Sequence, residues 1–154
     1  MANKDDAQVW EEFDKTVDQE QLAKDVQDAA ENEYKEVPHG QYEVEVSKME
    51  LKKSKKGDPM LSIWFKVLTG EFKGSLIFYN QLVLQPFQIH LANGMLRSLA
   101  PNIDVEFNGS YKTYHDIILD VLEAVQGNYE FALDYGENNK GFNTYEITEV
   151  FELD

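Results

Sequence analysis

Seven lysines, Lys48, Lys52, Lys53, Lys55, Lys56, Lys66 and Lys73, fall within residues 48–73 beside only three acids, Glu50, Asp58 and Glu71. The whole chain has 14 basic residues against 29 acidic ones, a formal charge of −15. Half of its cations therefore lie in one short stretch. Such a cluster can track a phosphate backbone, with the release of condensed counterions as driving force. Trp64 stands two residues before Lys66, on the strand face it shares with Ser62. An aromatic beside a lysine on a strand suits base stacking, which contributes ~1–3 kcal/mol per base whatever the sequence. Phe72 beside Lys73 repeats the pairing, and so does Tyr111 beside Lys112. The plainer alternatives are lysines that keep an edge strand from aggregating and a Trp64 packed in the core.

Other chemistries find little support. The chain has no GxGxxG, GxxxxGK[ST], HExxH or GxSxG. His39, His90 and His115 are scattered, and adjacent His115 and Asp116 would point to different sides of a helix. Asp116 and Asp120 share a helical face that reads as solvated. There are no cysteines, so neither disulfides nor thiol chemistry can operate. These absences imply a non-enzyme that needs no cofactor or metal.

Charge divides the chain. Residues 1–37 hold four lysines and twelve acids, a local −8, and residues 127–154 hold one lysine and seven acids, a local −6. The acidity opposes nucleic-acid binding only over about one Debye length, ~8–10 Å in physiological salt, so a middle of opposite sign can still bind. No run of 18 apolar residues is present, which predicts no membrane span. MANKDDAQVW lacks the pattern of a secretory signal. A cytoplasmic protein is expected.

The elements that must position these residues follow from periodicity. Trp10, Phe13, Val17, Leu22, Val26, Ala29 and Ala30 recur at helical spacing, which predicts one amphipathic helix from Asp5 to Tyr34. It would either dock by its apolar stripe or serve as an arm for a partner or sister subunit. Tyr42, Val44 and Val46 alternate with Glu43, Glu45 and Ser47 as a half-buried strand. KKSKKGDP forms a turn. In the strand after it, Leu61, Ile63, Phe65 and Val67 make the core face, and Met60, Ser62, Trp64, Lys66 and Leu68 make the other. A turn over 69–74 leads into a third strand, SLIFYNQLVL, whose two faces are both apolar. Helices are predicted over 87–99 and 115–126, then strands over 129–135 and 142–150 joined by GENNKG. Five strands with helices between the third and fourth have the connectivity of an oligonucleotide-binding (OB) barrel. The expected fold is mainly β (α+β): a five-stranded OB-fold-like barrel with a two-helix insertion. A plain α+β sandwich is the alternative. The expected divisions are an acidic helical segment over 1–37, the barrel domain over 38–150, and a short acidic tail over 151–154.

Three patterns carry a family resemblance. The first is Pro38, Gly40, Tyr42 and Val44; the second is Lys55, Gly57, Pro59 and Met60; the third is Val67, Gly70, Phe72 and Gly74 before an apolar strand. Residues 37–80 thereby resemble a family of small phage and prophage proteins, long catalogued as a domain of unknown function and regarded as OB-fold single-stranded DNA-binding proteins. The resemblance implies a replication or recombination accessory in the bacterial host cytoplasm. Its ligand would be single-stranded DNA, and phage or host replication and recombination proteins could meet the acidic ends. Homo-oligomers are compatible with it. The competing function is an acidic interaction module, or a nucleic-acid mimic that binds a basic partner.

Overall fold

The sheet is built outward from one long strand, β1, spanning Gly40–Lys53. In the computed structural model, which describes residues 4–33 and 36–153, β1 pairs antiparallel on one side with β2 (Pro59–Val67) and on the other with β4 (Tyr129–Glu137). β3 (Leu76–Leu82) adds to β2, and β5 (Asn143–Glu152) adds to β4. The result is a five-stranded antiparallel sheet of order β3-β2-β1-β4-β5.

A bulge sets the faces of β1. Val44 and Val46 lie opposite Val67 and Phe65, and then Ser47 intervenes as an extra residue. Beyond it Met49 and Leu51 lie opposite Ile63 and Leu61. The inward positions thus switch from even to odd, which the simple alternation of the sequence does not anticipate. The bulge is held from two sides. Ser47 Oγ donates to the Trp64 carbonyl at 3.2 Å, and the Ser47 carbonyl accepts from Gln126 Nε2 at 3.0 Å. A carbonyl dropped from the ladder is thereby satisfied.

Leu61, Ile63, Phe65 and Val67 are all fully buried, as expected. Each contributes ~1.5–3 kcal/mol of apolar burial. Two helices cross between β3 and β4. The first, α3 (Pro86–Leu99), opens with Pro86, and the Gln88 side chain accepts from the N–H groups of Leu84 and Gln85. The second, α4 (Tyr111–Val125), starts four residues earlier than its apolar period suggests, because the Ser110 hydroxyl caps it by accepting from the Thr113 N–H. α4 buries Ile118, Val121 and Val125 and packs on β1. Tyr114 donates to Asn93 Oδ1 at 2.6 Å, joining the two helices in the interior. β5 runs on to Glu152 and sets Phe151 opposite Glu130, so residues 151 and 152 are strand. Asp154 lies outside the described residues.

Residues Met1–Lys35 and Glu36–Asp154 separate as two compact units. In the first, the single helix expected from periodicity is two: α1 (Lys4–Thr16) and α2 (Gln19–Glu33). Asp18 explains the break. Its Oδ1 accepts from the Gln21 N–H at 3.1 Å and its carbonyl accepts from the Leu22 N–H, as at a helix start. Val9, Trp10, Val17, Leu22 and Val26 are exposed. Tyr34, where the expected helix ends, and the side chains of Phe13, Ala29 and Ala30 lie outside the described residues.

The two edge strands of the sheet are tied by side chains. Tyr145 of β5 donates its hydroxyl to the Phe78 carbonyl of β3 at 2.7 Å, and its ring meets Tyr79 edge-on and stacks on Tyr135. Burial pushes the phenols of Tyr79, Tyr114 and Tyr145 up, the last two to about 12. A raised phenol favours the folded state below its unfolded value of 10.0, and that advantage is lost as pH climbs toward 12. We therefore expect a urea midpoint that is steady up to pH 10 and falls beyond it. Tyr145→Phe should lower stability at neutral pH by about 1 kcal/mol and make the alkaline fall shallower. A fall of unchanged steepness in that variant would remove Tyr145 from the effect.

Candidate nucleic-acid interface

The lysine turn owes its shape to Ser54, Gly57 and Asp58. The Ser54 N–H donates to the Asp58 carbonyl at 2.7 Å, the Gly57 N–H returns to the Ser54 carbonyl, and the Asp58 N–H reaches Ser54 Oγ. Gly57 takes φ +89°, a conformation a β-carbon disfavours. The closed turn sets Lys53, Lys55 and Lys56 at its exposed tip.

The bulge carries this basic character onto the sheet. With the inward phase switched at Ser47, Lys48, Glu50 and Lys52 turn outward opposite Trp64, Ser62 and Met60. Glu45 lies opposite Lys66, which is exposed. Across the next pairing Trp64 faces Phe78, Ser62 faces Asn80 and Lys66 faces Leu76. The Trp64 and Phe78 rings meet edge to face, 5.4 Å between centroids. Neither ring belongs to the buried core cluster. The Lys48 ammonium lies 4.5 Å from the Trp64 ring centre and 3.5 Å from Glu50 Oε1. Two donors on this face are buried without a hydrogen-bond partner, Ser62 Oγ and Trp64 Nε1.

The other sequence-derived positions fall elsewhere. Phe72 sits in the turn after β2, half-buried against the core and 6.4 Å from the Tyr42 ring. Lys73 beside it is exposed. Tyr111, the first residue of α4, packs against the core, meets Phe107 and donates its hydroxyl to the Val83 carbonyl at 2.8 Å. Lys112 is exposed on that helix. Phe72 and Tyr111 thus spend their rings on packing. Lys48, Lys52, Lys66 and Trp64 share the outer face of β1 and β2, and Lys53, Lys55 and Lys56 extend it at the turn. Phe78 and Asn80 complete the face and were not singled out from the sequence. Their signal was the pairing register, invisible in a strand apolar on both faces.

A cleft of about 920 Å³ opens between α3, β3 and the β4–β5 hairpin. Asn80, Gln81, Asn138, Asn143 and the exposed Phe142 line it, but no lysine does. It has no cation in its lining to offset phosphate charge, so the β1–β3 face is the better candidate.

Fold and site define a class: an antiparallel five-stranded α+β protein with a ring-bearing outer face on its first three strands and a lysine-rich turn beside it. The chain belongs to the family described as protein of unknown function (DUF669), which matches residues 24–100, 77 of its 154 residues. The matched segment takes in β1, β2, β3, the lysine turn and Trp64. No curated protein matches the chain.

The division between packing and exposed residues predicts a contrast in stability. Phe72→Ala should cost about 2 kcal/mol, roughly half the loss from a fully buried Phe. Lys53→Ala and Lys56→Ala should each stay within about 0.5 kcal/mol of the parent. Urea unfolding followed by circular dichroism measures both, and a silent Phe72→Ala would detach that ring from the core.

Proposed function

We propose that the protein is a sequence-tolerant binder of single-stranded DNA, with an OB-type barrel as its scaffold. In this reading β3 and β5 are the two sides of the barrel seam, and Tyr145 bridges them. β1 pairs with both β2 and β4, and the helices enter between β3 and β4, which supports that connectivity. OB folds use the outer face of their second and third strands together with the first and last hairpin loops. Here those parts are Trp64 and Phe78, the lysine turn, and the loop carrying Lys140.

One observation carries the reading: Trp64 lies outside the core, on the same face as Lys48, Lys52 and Lys66. Lys53, Lys55, Lys56, Lys66 and Lys73 would hold phosphates, and Trp64 with Phe78 would carry bases. The role would be that of a phage replication or recombination accessory in the bacterial host cytoplasm. The N-terminal unit supports a second role beside the first. Its exposed Trp10, Val17, Leu22 and Val26 lie among acids, which suits an acidic interaction module for a basic partner such as a recombinase or nuclease.

Fluorescence anisotropy with labelled oligo-dT tests the DNA reading. Binding should weaken steeply with salt, at ~0.7 log units per log unit of salt for each phosphate contact. With Trp10 replaced by Phe, Trp64 emission should quench on saturation. Replacing Lys53, Lys55 and Lys56 together by Glu should cut affinity at least about tenfold and remove ~2 from the salt slope. Unchanged affinity in that triple variant would refute the assignment.

A further inference from the structure

The free protein already has a ligand on its stacking ring, and that ligand is its own. The Lys48 ammonium sits 4.5 Å from the Trp64 ring centre, and Glu50 Oε1 holds it from the side at 3.5 Å. A cation on an indole face and a base stacked on it draw on the same electron-rich surface, so they exclude each other there. The same patch holds an unmet demand. Ser62 is 1% exposed and its Oγ has no hydrogen-bond partner, and the indole Nε1 two residues on has none either. The indole can only donate and the Ser62 hydroxyl can donate or accept, and buried polar groups of either kind normally find a partner. None of Lys48, Lys52 and Lys66 on the same face, nor Glu50 opposite Ser62, makes a hydrogen bond to either group.

We infer that Lys48 is a placeholder on Trp64, that a base of the bound strand takes its place on the ring face, and that a phosphate oxygen of the same strand supplies the acceptor that Ser62 and Trp64 lack. The inference rests on the single-stranded DNA reading above and extends it to the state of the site before binding. The geometry divides the work. The indole N–H points from the ring edge, so a base on the face cannot accept from it, whereas a backbone oxygen passing the edge can. Both donors are buried, so an acceptor reaches them only when neighbouring side chains shift. Once displaced, its ammonium is free for a phosphate. Glu50 then loses its cation, so it acts as a latch that favours the closed face. The arrangement admits a polymer presenting flat bases and anionic oxygens together, and it gives little to a simple polyanion, which cannot replace the cation on the ring.

Three measurements on the full chain test this. The first follows the Lys48 ε-methylene by NMR in lysine-labelled protein. Its ring-current-shifted signal should move to the position of the exposed lysines when oligo-dT saturates the site. Heparin, a polyanion without bases, should leave it in place. The second compares Lys48→Met with the parent at about 0.5 M salt, where exposed charges are largely screened. Loss of the competing cation should tighten oligo-dT binding about two- to fivefold there, although one phosphate contact is gone at low salt. The third is Ser62→Ala, which removes a buried donor without a partner. It should keep or raise the stability of the free protein and weaken oligo-dT binding by roughly tenfold. A signal that stays ring-shifted at saturation, weaker binding of Lys48→Met at every salt, or full affinity in Ser62→Ala would overturn the inference while leaving the DNA reading intact. Failure of the parent to bind oligo-dT at low salt would remove both.

Discussion

Ser47 adds to β1 one residue that β2 does not match, and much else depends on it. Without the bulge a single register would run through fourteen residues, and Met49 and Leu51 would leave the core as Lys48 and Lys52 entered it. A one-residue change of phase moves every later side chain to the opposite face. With the bulge, Val44, Val46 and Met49 are all buried in one strand, while Lys48 comes out opposite Trp64 and Lys52 opposite Met60 on the same face. The hydrogen bonds that hold Ser47 run to the Trp64 carbonyl and from Gln126 at the end of α4. The helical insertion thus helps to hold the strand geometry of the proposed binding face.

That face has to work within an anionic molecule. At −15 overall, distant acids oppose a polyanionic ligand, but the opposition fades beyond about one Debye length. Glu45 and Glu50 lie on the face itself and are not screened in this way. They pair with Lys66 and Lys48 in register or in space, so the sheet is close to balanced and the excess positive charge gathers at the turn. Lysines at the turn would therefore supply attraction, and the rings on the sheet would supply grip that salt does not erase. This division suits a binder that tolerates any sequence, since neither phosphates nor stacked rings distinguish bases.

Much of the fold was legible in the residues. The 61, 63, 65, 67 alternation carried a fully buried face, and the helices between the third and fourth strands followed from their 3.6-residue period. What escaped was punctuation by single polar side chains. Ser47 reads as an ordinary outward residue, yet it is the bulge; Asp18 reads as part of an acidic face, yet it starts a helix; Ser110 starts α4 ahead of its apolar period. For the site, the placement of Trp64 relative to Lys66 could be read from one strand, because alternation is local, whereas that of Lys48 and Lys52 depends on the bulge. Its partner Phe78 could not, because that requires a register with a strand whose two faces are both apolar. Phe72 and Tyr111 resembled Trp64 in having a lysine neighbour, but adjacency in sequence says nothing about which side chain the core claims.

Chemical-shift mapping of the ¹⁵N-labelled protein with oligo-dT tests the proposed binding face most directly. The indole N–H of Trp64 and the amides of residues 48–56, 62–66 and 78–80 should shift together on titration, with those of α4 still. Shifts confined to α4 or to the N-terminal helices, with the Trp64 indole unmoved, would contradict the assignment of the β1–β3 face.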